Sequence, residues 1–535
     1  MNIGKKIAAL RNAAHLSQEQ LAETLSVSRQ SVSKWEMGTS IPQCDKIVQL
    51  AALFHISVDT LLSDELSTTA ADTPIQNHYF GTDGFRGEAG RTLTANHAFL
   101  VGRFLGWYYA KEKRASGGRA RIVIGKDTRR SSYMLEYAIA AGITASGADA
   151  YMLHVTTTPS VSYVTRCDEF DCGIMITASH NPFDDNGIKV INRHGEKIED
   201  SFAAQIEAYL DGNTRALGVG DADLPLATGC NIGKIEDYAS GRNRYVGYLI
   251  SLASHSYKKL TIGLDCANGA SWMIAAAVFG ALGARVQVIG NEPNGLNINE
   301  NCGSTNVERL KKLVLAGHLD VGFAFDGDAD RCIAVDETGS VVDGDKILYV
   351  LAKRLQSRGM LKDNTVVATV MSNSGLDIAL AKLGITCEHT AVGDRFVYER
   401  MQEGDYALGG EHSGHIILKK YATTGDGLLT AIMLTEAMCD SKKTLSELTA
   451  PLKLFPQYTQ NIRVQDKKAA IEDNAVRSVV RDISAELKGA GRVLLRASGT
   501  EPLVRIMIES ETEEKCRDLA ARIADTIIAR GYAET

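Results

Sequence analysis

RIVIGKDTRRSSYMLEYAIAAGITASGADAYML, residues 121–153, is the stretch that decides the fold. It opens on an apolar run with strand character, crosses a loop, and continues with helical spacing to a turn at Gly147. A second apolar run closes it. Strand, helix and strand in one short segment mark an α/β layer, because parallel strands need a helical crossover between them. The pattern returns in LTIGLDCANGASWMIAAAVFGALGARVQVI (260–289) and TVVATVMSNSGLDIALAKLGITCEHT (365–390), with turns at Gly283 and Gly384. Those turns lie 136 and 101 residues apart, too far for a solenoid and suited to three related α/β domains. The end of the chain, from about 451, has strands around VLLRAS and LVRIMIES, then a helix from Thr512 to Arg530. That reads as a separate α+β domain.

The composition permits several cores. At 535 residues, 44% hydrophobic and 23% charged, the chain is an ordinary globular multidomain protein. Its longest nearly apolar stretch, Gly269–Gly283, is short for a membrane span and reads as a helix packed on a sheet. The first residues lack the basic-then-apolar layout of a secretory signal, so a cytoplasmic location is expected. Ten cysteines are scattered from Cys44 to Cys516 without a C-x-x-C pair, and Cys167 and Cys172 have no partners at zinc-ligand spacing. Reduced, mostly buried thiols are expected. A net charge of −7 excludes a chain that coats nucleic acid along its whole length, yet residues 1–63 carry +1 and the rest −8.

Residues 3–62 have helical periodicity throughout; Ser17 stands where a helix would start, and Ser26 with Ser28 separates that helix from SRQSVSKWE. LSQEQLAETLSVSRQSVSKWEMGTSIP (16–42) resembles the repressor-type helix-turn-helix family nearly end to end. The resemblance implies duplex DNA as a partner, with Arg29, Gln30 and Lys34 near base edges or phosphates and Gln18 near a phosphate. Arg suits guanine and Gln adenine as bidentate partners. A solvated protein-interaction module is the alternative. One copy normally needs a second to read two half-sites, so a homodimer is implied. Residues 64–76, rich in Ser, Thr, Asp and Ala, read as a linker.

Four loops carry unusual chemistry. TASHNP follows the apolar strand GIMIT and sets Ser179 beside His180. It lacks the G-x-S-x-G of a hydrolase elbow, and an adjacent histidine is poorly placed to turn back on its neighbour's hydroxyl. On its own it reads equally as a turn. AFDGDADRCIAVDE (324–337) alternates Asp326, Asp328 and Asp330. It imitates an EF-hand, but Arg331 stands where that loop needs Gly and the flanks are strand-like. Three crowded carboxylates call for a divalent cation, and an all-oxygen site suits Mg²⁺. GGEHSGH (409–415) offers glycines for close approach, and Glu411, His412 and Ser413 offer hydrogen-bond partners suited to a polyol. In LRASGTEPLVRI (495–506), Arg496 and Arg505 bracket Ser498-Gly499-Thr500, a phosphate-binding arrangement without a Walker motif.

Those loops in that order, with the opening HYFGTDGFRG (78–87), resemble the α-D-phosphohexomutase family over about 77–535. NGLNINENCGSTN (294–306), VDGD (342–345) and VGDRFV (392–397) point to its amino-sugar-phosphate members. The expected organisation is a helix-turn-helix domain at 1–63 and a linker at 64–76. Domain I would span 77–234 with the phosphoserine loop, domain II 235–334 with the metal loop, domain III 335–450 with the sugar loop and domain IV 451–535 with the phosphate-binding loop. The resemblance implies that Ser179 carries a phosphoryl group. Asp326, Asp328 and Asp330 would hold Mg²⁺, completed by an oxygen of phosphorylated Ser179. Arg86, Lys189 and Arg331 would manage charge and protons, and His180 would support the loop. Lys189 is the expected acid/base if its pKa is lowered. Glu411 and Ser413 would read sugar hydroxyls, while Arg496, Ser498, Gly499, Thr500 and Arg505 would hold the distal phosphate.

The implied reaction isomerises a hexosamine 6-phosphate to its 1-phosphate through a 1,6-bisphosphate. His412 stands where amino-sugar members usually have Gln, which leaves glucose and mannose phosphates open as substrates. A regulator that only senses a sugar phosphate is the alternative of another class. The retention of Ser179, the three aspartates and the phosphate arginines favours catalysis.

Overall fold

The computed structural model describes residues 4, 7–8, 10–11, 16–25, 27–38, 40, 42, 44–53, 78–81, 83–114, 117–220, 222–487, 489–498 and 502–533. The chain forms two compact units, 1–76 and 77–535. The expected linker at 64–76, and Gly499 and Thr500, lie outside the described residues.

In the first unit, α1 (Gln18–Thr24), α2 (Arg29–Glu36) and α3 (Cys44–Leu53) surround Ile7, Leu21, Leu25, Val32, Trp35 and Leu50, all buried. Ser28 caps α2, its Oγ accepting the Ser31 N–H at 3.1 Å, so the turn between α1 and α2 ends where a polar cap satisfies a free donor.

The second unit contains four sheets. The first takes β1 (Phe80–Gly81), β2 (Gly84–Glu88), β3 (Arg121–Lys126), β4 (Asp149–Val155), β5 (Cys172–Ile176), β6 (Asp185–Asn192) and β7 (Ile235–Asp237), in the order β1-β2-β6-β5-β3-β4-β7. The second orders β8 (Thr261–Asp265), β9 (Arg285–Ile289), β10 (Val321–Phe325), β11 (Cys332–Asp336) and β12 (Val341–Val342) as β12-β11-β10-β8-β9. The third orders β13 (Thr365–Thr369), β14 (Thr386–Thr390), β15 (Leu408–Gly410) and β16 (Ile416–Leu418) as β14-β13-β15-β16. The fourth is antiparallel, β17 (Gln457–Arg463), β18 (Arg492–Ala497) and β19 (Leu503–Glu509), with β19 central.

One topology recurs in the first three. The strand that opens each sequence repeat pairs in parallel with the strand that closes it: β3 with β4, β8 with β9, β13 with β14. On its other flank it pairs in parallel with β5, β10 or β15, and each of these turns back into an antiparallel neighbour, β6, β11 or β16. The loops 177–184, 326–331 and 411–415 therefore occupy equivalent places, beyond the carboxyl ends of the third parallel strands. Open α/β sheets bind ligands at such strand ends.

Two expected boundaries move. β7 joins the first sheet, so that layer extends beyond residue 234, and β11 and β12 carry the second sheet beyond 334. The second and third sheets also share one core. The helix Gly427–Ser441 is buried on all faces through most of its length, and Leu429 and Leu434 pack in one cluster with Phe323 and Val366. Gly269–Gly283 includes a helix, Ile274–Ala281, with Ile274, Val278 and Phe279 buried. No described helix is long and apolar enough to cross a membrane. The nine cysteines from Cys167 to Cys516 are unbridged, five of them buried.

The helices flanking β3, α4 (Ala95–Arg114) and α5 (Arg130–Ala145), touch backbone to backbone through glycines. A Cβ on Gly142 would overlap the Phe99 carbonyl oxygen, and one on Gly102 the Ile139 carbonyl oxygen. Helix propensity alone makes Gly→Ala stabilising by about 1 kcal/mol. Here overlap dominates, and Gly142→Ala should destabilise by about 1–3 kcal/mol. Chemical unfolding of the variant beside the wild type reads the sign.

Candidate active site

Ser179 sits just past β5 in a left-handed backbone conformation, φ +51°, that L-residues adopt at a cost. Its N–H donates to Thr177 Oγ1 at 3.0 Å, and its carbonyl accepts from Asn299 Nδ2 at 2.9 Å and Arg129 Nη2 at 3.3 Å. The side chain is thereby turned toward the second sheet, where Oγ donates to Asp326 Oδ2 at 2.5 Å. The same turn corrects one expectation: His180 Nδ1 lies 3.3 Å from the Ser179 hydroxyl, because the left-handed residue swings the two side chains to one side. Burial, then the nearby Arg331 and Arg86 cations, pull the His180 pKa down to about 4, so its ring is neutral near pH 7.

The acidic loop meets the serine loop through a glycine. A Cβ on Gly327 would lie 2.5 Å from the Ser179 carbonyl oxygen, so only Gly lets the two backbones approach this closely. Asp326, Asp328 and Asp330 are all buried, each offering a carboxylate oxygen within 4.8 Å of the others. Thr158 Oγ1 donates to Asp328 Oδ2 at 2.5 Å, and Lys189 Nζ donates to Asp328 Oδ2 at 2.8 Å and Asp330 Oδ2 at 3.2 Å. Asp328 Oδ1 and Asp330 Oδ1 are buried with no hydrogen-bond partner, a state carboxylate oxygens avoid. Burial and the neighbouring charges of Asp330 and Asp328 push the Asp326 pKa well up. Two orphaned oxygens and a carboxyl forced toward its acid form are what a dry all-oxygen cation site shows before its ion is counted. The residues fit a divalent metal.

Lys189 departs from expectation. A general base would need a lowered pKa. Burial pulls this one down, but the carboxylates of Asp328, Asp83 and Asp330 outweigh burial and hold it well above the ordinary lysine value. The Lys189 ammonium pairs with Asp328 and Asp330 and balances part of their charge. Arg331 is likewise held charged, because Asp326 and Asp330 outweigh its burial, and its backbone N–H donates to Asp326 Oδ1 at 3.2 Å. Arg86 pairs with Asp83 at the edge of the same group.

The sugar loop is stitched to this cluster. Cys332 N donates to Gly414 O at 3.0 Å and Gly427 N to Ala329 O at 3.0 Å. Glu411 accepts from Gly393 N at 3.1 Å, and Ser413 Oγ lies 3.4 Å from Glu411 Oε2. Four charged or titratable residues were not singled out by sequence. Lys197 bridges Asp83 at 3.0 Å and Asp394 at 2.7 Å, and His415 Nε2 lies 3.4 Å from Asp394 and 3.9 Å from Asp330. Asp83, Asp394 and His415 lie inside motifs the sequence displays, GTDGFRG, VGDRFV and GGEHSGH, but nothing local marks them off from their neighbours. Lys197 lies in no motif.

The phosphate-binding candidates sit on the fourth sheet. Arg496 and Arg505 are cross-strand partners on β18 and β19, and burial together with Arg505 lowers the Arg496 pKa. Two adjacent guanidiniums repel, and an anion between them removes the conflict. Ser498 is buried at the end of β18, its N–H donating to Leu503 O at 2.9 Å. In the first unit, Arg29, Gln30 and Lys34 are exposed on α2. Gln18 is committed within the module, Nε2 donating to Glu36 Oε2 at 2.7 Å, while Arg11 Nε reaches Glu36 Oε1 at 2.6 Å.

Family models described as phosphoglucomutase/phosphomannomutase domains match in order: domain I at 77–216, domain II at 243–339, domain III at 343–455 and the C-terminal domain at 460–526. The chain belongs to this phosphohexomutase family. A helix-turn-helix model matches residues 7–61 ahead of the phosphohexomutase body. A phosphoglucosamine mutase of Lachnospira eligens is 58% identical over 455 residues, covering 85% of this chain and 99% of that protein. One of Lachnoclostridium phytofermentans is 53% identical over 454 residues, with the same coverage. Among solved structures, a phosphoglucomutase/phosphomannomutase family protein from Burkholderia thailandensis shares the fold, with TM-score 0.69, 24% identity, and 86% and 99% of the two chains covered. So does N-acetylphosphoglucosamine mutase of Aspergillus fumigatus in complex with GlcNAc-6P and magnesium, with TM-score 0.60, 17% identity, and 86% and 97% covered. The phosphohexomutase body is an intramolecular phosphotransferase, and the chain carries a helix-turn-helix module in front of it.

The contact between serine loop and acidic loop tests the site. Gly327→Ala must push the loops apart, and a displacement near 1 Å costs such chemistry about 100-fold. A mutase turnover reduced by about that factor is the expected result from steady-state kinetics, measured at a temperature where thermal unfolding shows the variant still folded.

Proposed function

We propose that the body interconverts glucosamine 6-phosphate and glucosamine 1-phosphate, with Ser179 as the phosphoryl carrier. The observation that carries the proposal is the 2.5 Å contact between Ser179 Oγ and Asp326 inside the buried aspartate cluster, on a chain that is 58% identical to a phosphoglucosamine mutase over nearly that protein's whole length. In the forward direction the phosphorus–oxygen bond of phosphorylated Ser179 breaks as a bond forms to the sugar 1-hydroxyl oxygen. Ser179 Oγ leaves with the electron pair of the broken bond and takes up a proton as the 1-hydroxyl gives its own up, so in net the proton passes from sugar to serine. The 1,6-bisphosphate then turns end for end, and Ser179 takes the group from position 6.

Asp326, Asp328 and Asp330 would hold Mg²⁺, which supplies a fixed positive charge against the phosphoryl oxygens. The chain's own residues do the rest. Lys189, Arg331 and Arg86 set three cations around the transferring group. Lys189 is the proton donor to Ser179 Oγ, and neutral His180 orients the hydroxyl. Glu411 and Ser413 read sugar hydroxyls. Arg496, Ser498, Gly499, Thr500 and Arg505 bind whichever phosphate is not in transit. Burial of Ser179, which is 1% exposed, keeps water from hydrolysing the phosphoserine. The N-terminal module would bind duplex DNA through Arg29, Gln30 and Lys34, two copies reading two half-sites, in a cytoplasmic protein.

Purified, Mg²⁺-loaded protein is expected to convert glucosamine 6-phosphate in preference to glucose and mannose 6-phosphates in side-by-side assays. Ser179→Ala should remove turnover while calorimetry still detects sugar-phosphate binding. Turnover by Ser179→Ala, or inertness of the phosphorylated wild type toward all three sugars, would refute the proposal.

For the module, duplex binding should weaken steeply as salt rises, and Arg29→Ala should weaken it further, by about 1–3 kcal/mol where the arginine reads a base. Equal binding by the full chain and by a chain lacking residues 1–65 would remove the DNA-binding role.

A further inference from the structure

We infer that Asp377, Cys387 and His389 form a second metal site, built for a borderline ion such as Zn²⁺ and separate in chemistry from the all-oxygen cluster beside Ser179. Cys387 and His389 stand two apart on β14, an edge strand of the third sheet, so their side chains share a face. Asp377 comes from the helix Ser374–Ala381, which crosses between β13 and β14. One ligand atom from each, a carboxylate oxygen, Sγ and an imidazole nitrogen, lies within 4.8 Å of the others.

The histidine supplies a second observation. His389 Nδ1 lies 3.0 Å from the carbonyl oxygen of Thr369. A carbonyl only accepts, so Nδ1 carries a proton. Nε2 then faces Asp377 Oδ1 at 2.8 Å. Two lone pairs repel when they face each other, so Nε2 either bears a second proton and pairs with Asp377 as an imidazolium or shares a cation with the carboxylate. A backbone carbonyl that fixes the Nδ1–H tautomer and aims Nε2 at the other ligands is the usual support of a metal-bound histidine. Thiolate, imidazole and carboxylate are three protein ligands, the number an open zinc site uses, and sulfur selects Zn²⁺ over Mg²⁺.

Access and charge both suit an ion. The His389 and Asp377 side chains are 26% and 38% exposed. Arg492, whose charge reaches Cys387 and His389, is tied to Glu509 at 2.9 Å and to the Ser372 carbonyl. The other cluster of His with carboxylates, His255, Glu436 and Asp440, is already neutralised, since Arg354 and Arg358 reach Asp440 at 2.8 and 2.6 Å. On binding, the Cys387 thiol and the imidazolium each release one proton to solvent, and the freed lone pairs go to the ion. Thiolate and carboxylate then balance its two charges. The ion would tie β14 to a helix whose first residues hold the fourth sheet, Ser374 N donating to Glu509 at 2.9 Å and the Asn373 cap donating to Phe455 O at 2.9 Å.

Full-length protein saturated with Mg²⁺ and titrated with Co²⁺ tests this, followed by the thiolate-to-cobalt charge-transfer band. The aspartate cluster has no sulfur and is silent in that band. One equivalent of Co²⁺ should raise it and Zn²⁺ should abolish it. Cys387→Ser should lack it, and His389→Gln should bind Co²⁺ at least about 10-fold more weakly. Zn²⁺ should also raise the unfolding midpoint of the wild type but not of Cys387→Ser. No band at stoichiometric Co²⁺, or a band that persists in Cys387→Ser, overturns the inference.

Discussion

Three carboxylates buried within one short loop are the constraint around which the body is arranged. Like charges in a low-dielectric interior repel strongly, and each carries a desolvation cost that only pairing offsets. Asp330 stays ionised because Lys189, His415 and Arg331 outweigh its burial, while Asp326 is pushed toward its acid form by burial and by its two neighbours. A divalent cation resolves that imbalance. The same carboxylates explain why the cations Lys189, Arg86 and Lys197 of the first sheet gather here with Arg331 of the second sheet's loop.

The fold brings those groups together by repetition. Each of the first three layers ends its third parallel strand in a loop before an antiparallel return, and each loop carries a different set of polar groups. The serine loop holds the hydroxyl, the acidic loop the metal candidates, and the sugar loop Glu411 and Ser413. Glycines at the contacts make the convergence physical. Gly327 admits the Ser179 backbone, and Gly344 lies so near the Glu411 carbonyl that a side chain would overlap it. The shared core around the helix Gly427–Ser441 then fixes the second and third layers to each other.

Much of this was legible in the chain. Strand–helix–strand repeats, the helix-turn-helix and the C-terminal α+β segment all rest on short-range periodicity, which burial on one or two faces imposes residue by residue. The chemistry of the four loops was legible because Asp, Ser, Gly and Arg at close spacing have few structural uses. Less legible were Asp83, Lys197, Asp394 and His415, whose meaning depends on one another and not on their neighbours. The surroundings of Lys189 were hidden for the same reason: the carboxylates that pair with it come from two other segments.

Sequence alone determined the kinds of layer, their order and the reactive groups, because those follow from local pattern and side-chain chemistry. Only tertiary structure decided that Ser179, in a left-handed turn, would touch Asp326 from 147 residues away, and that His180 would lie beside its hydroxyl. It also decided that β7, β11 and β12 belong to the layers before the expected boundaries. The physical reason is common to all of these. Hydrogen bonds, charge pairing and close backbone approach act between atoms in space, and a chain does not state which of its distant atoms will meet.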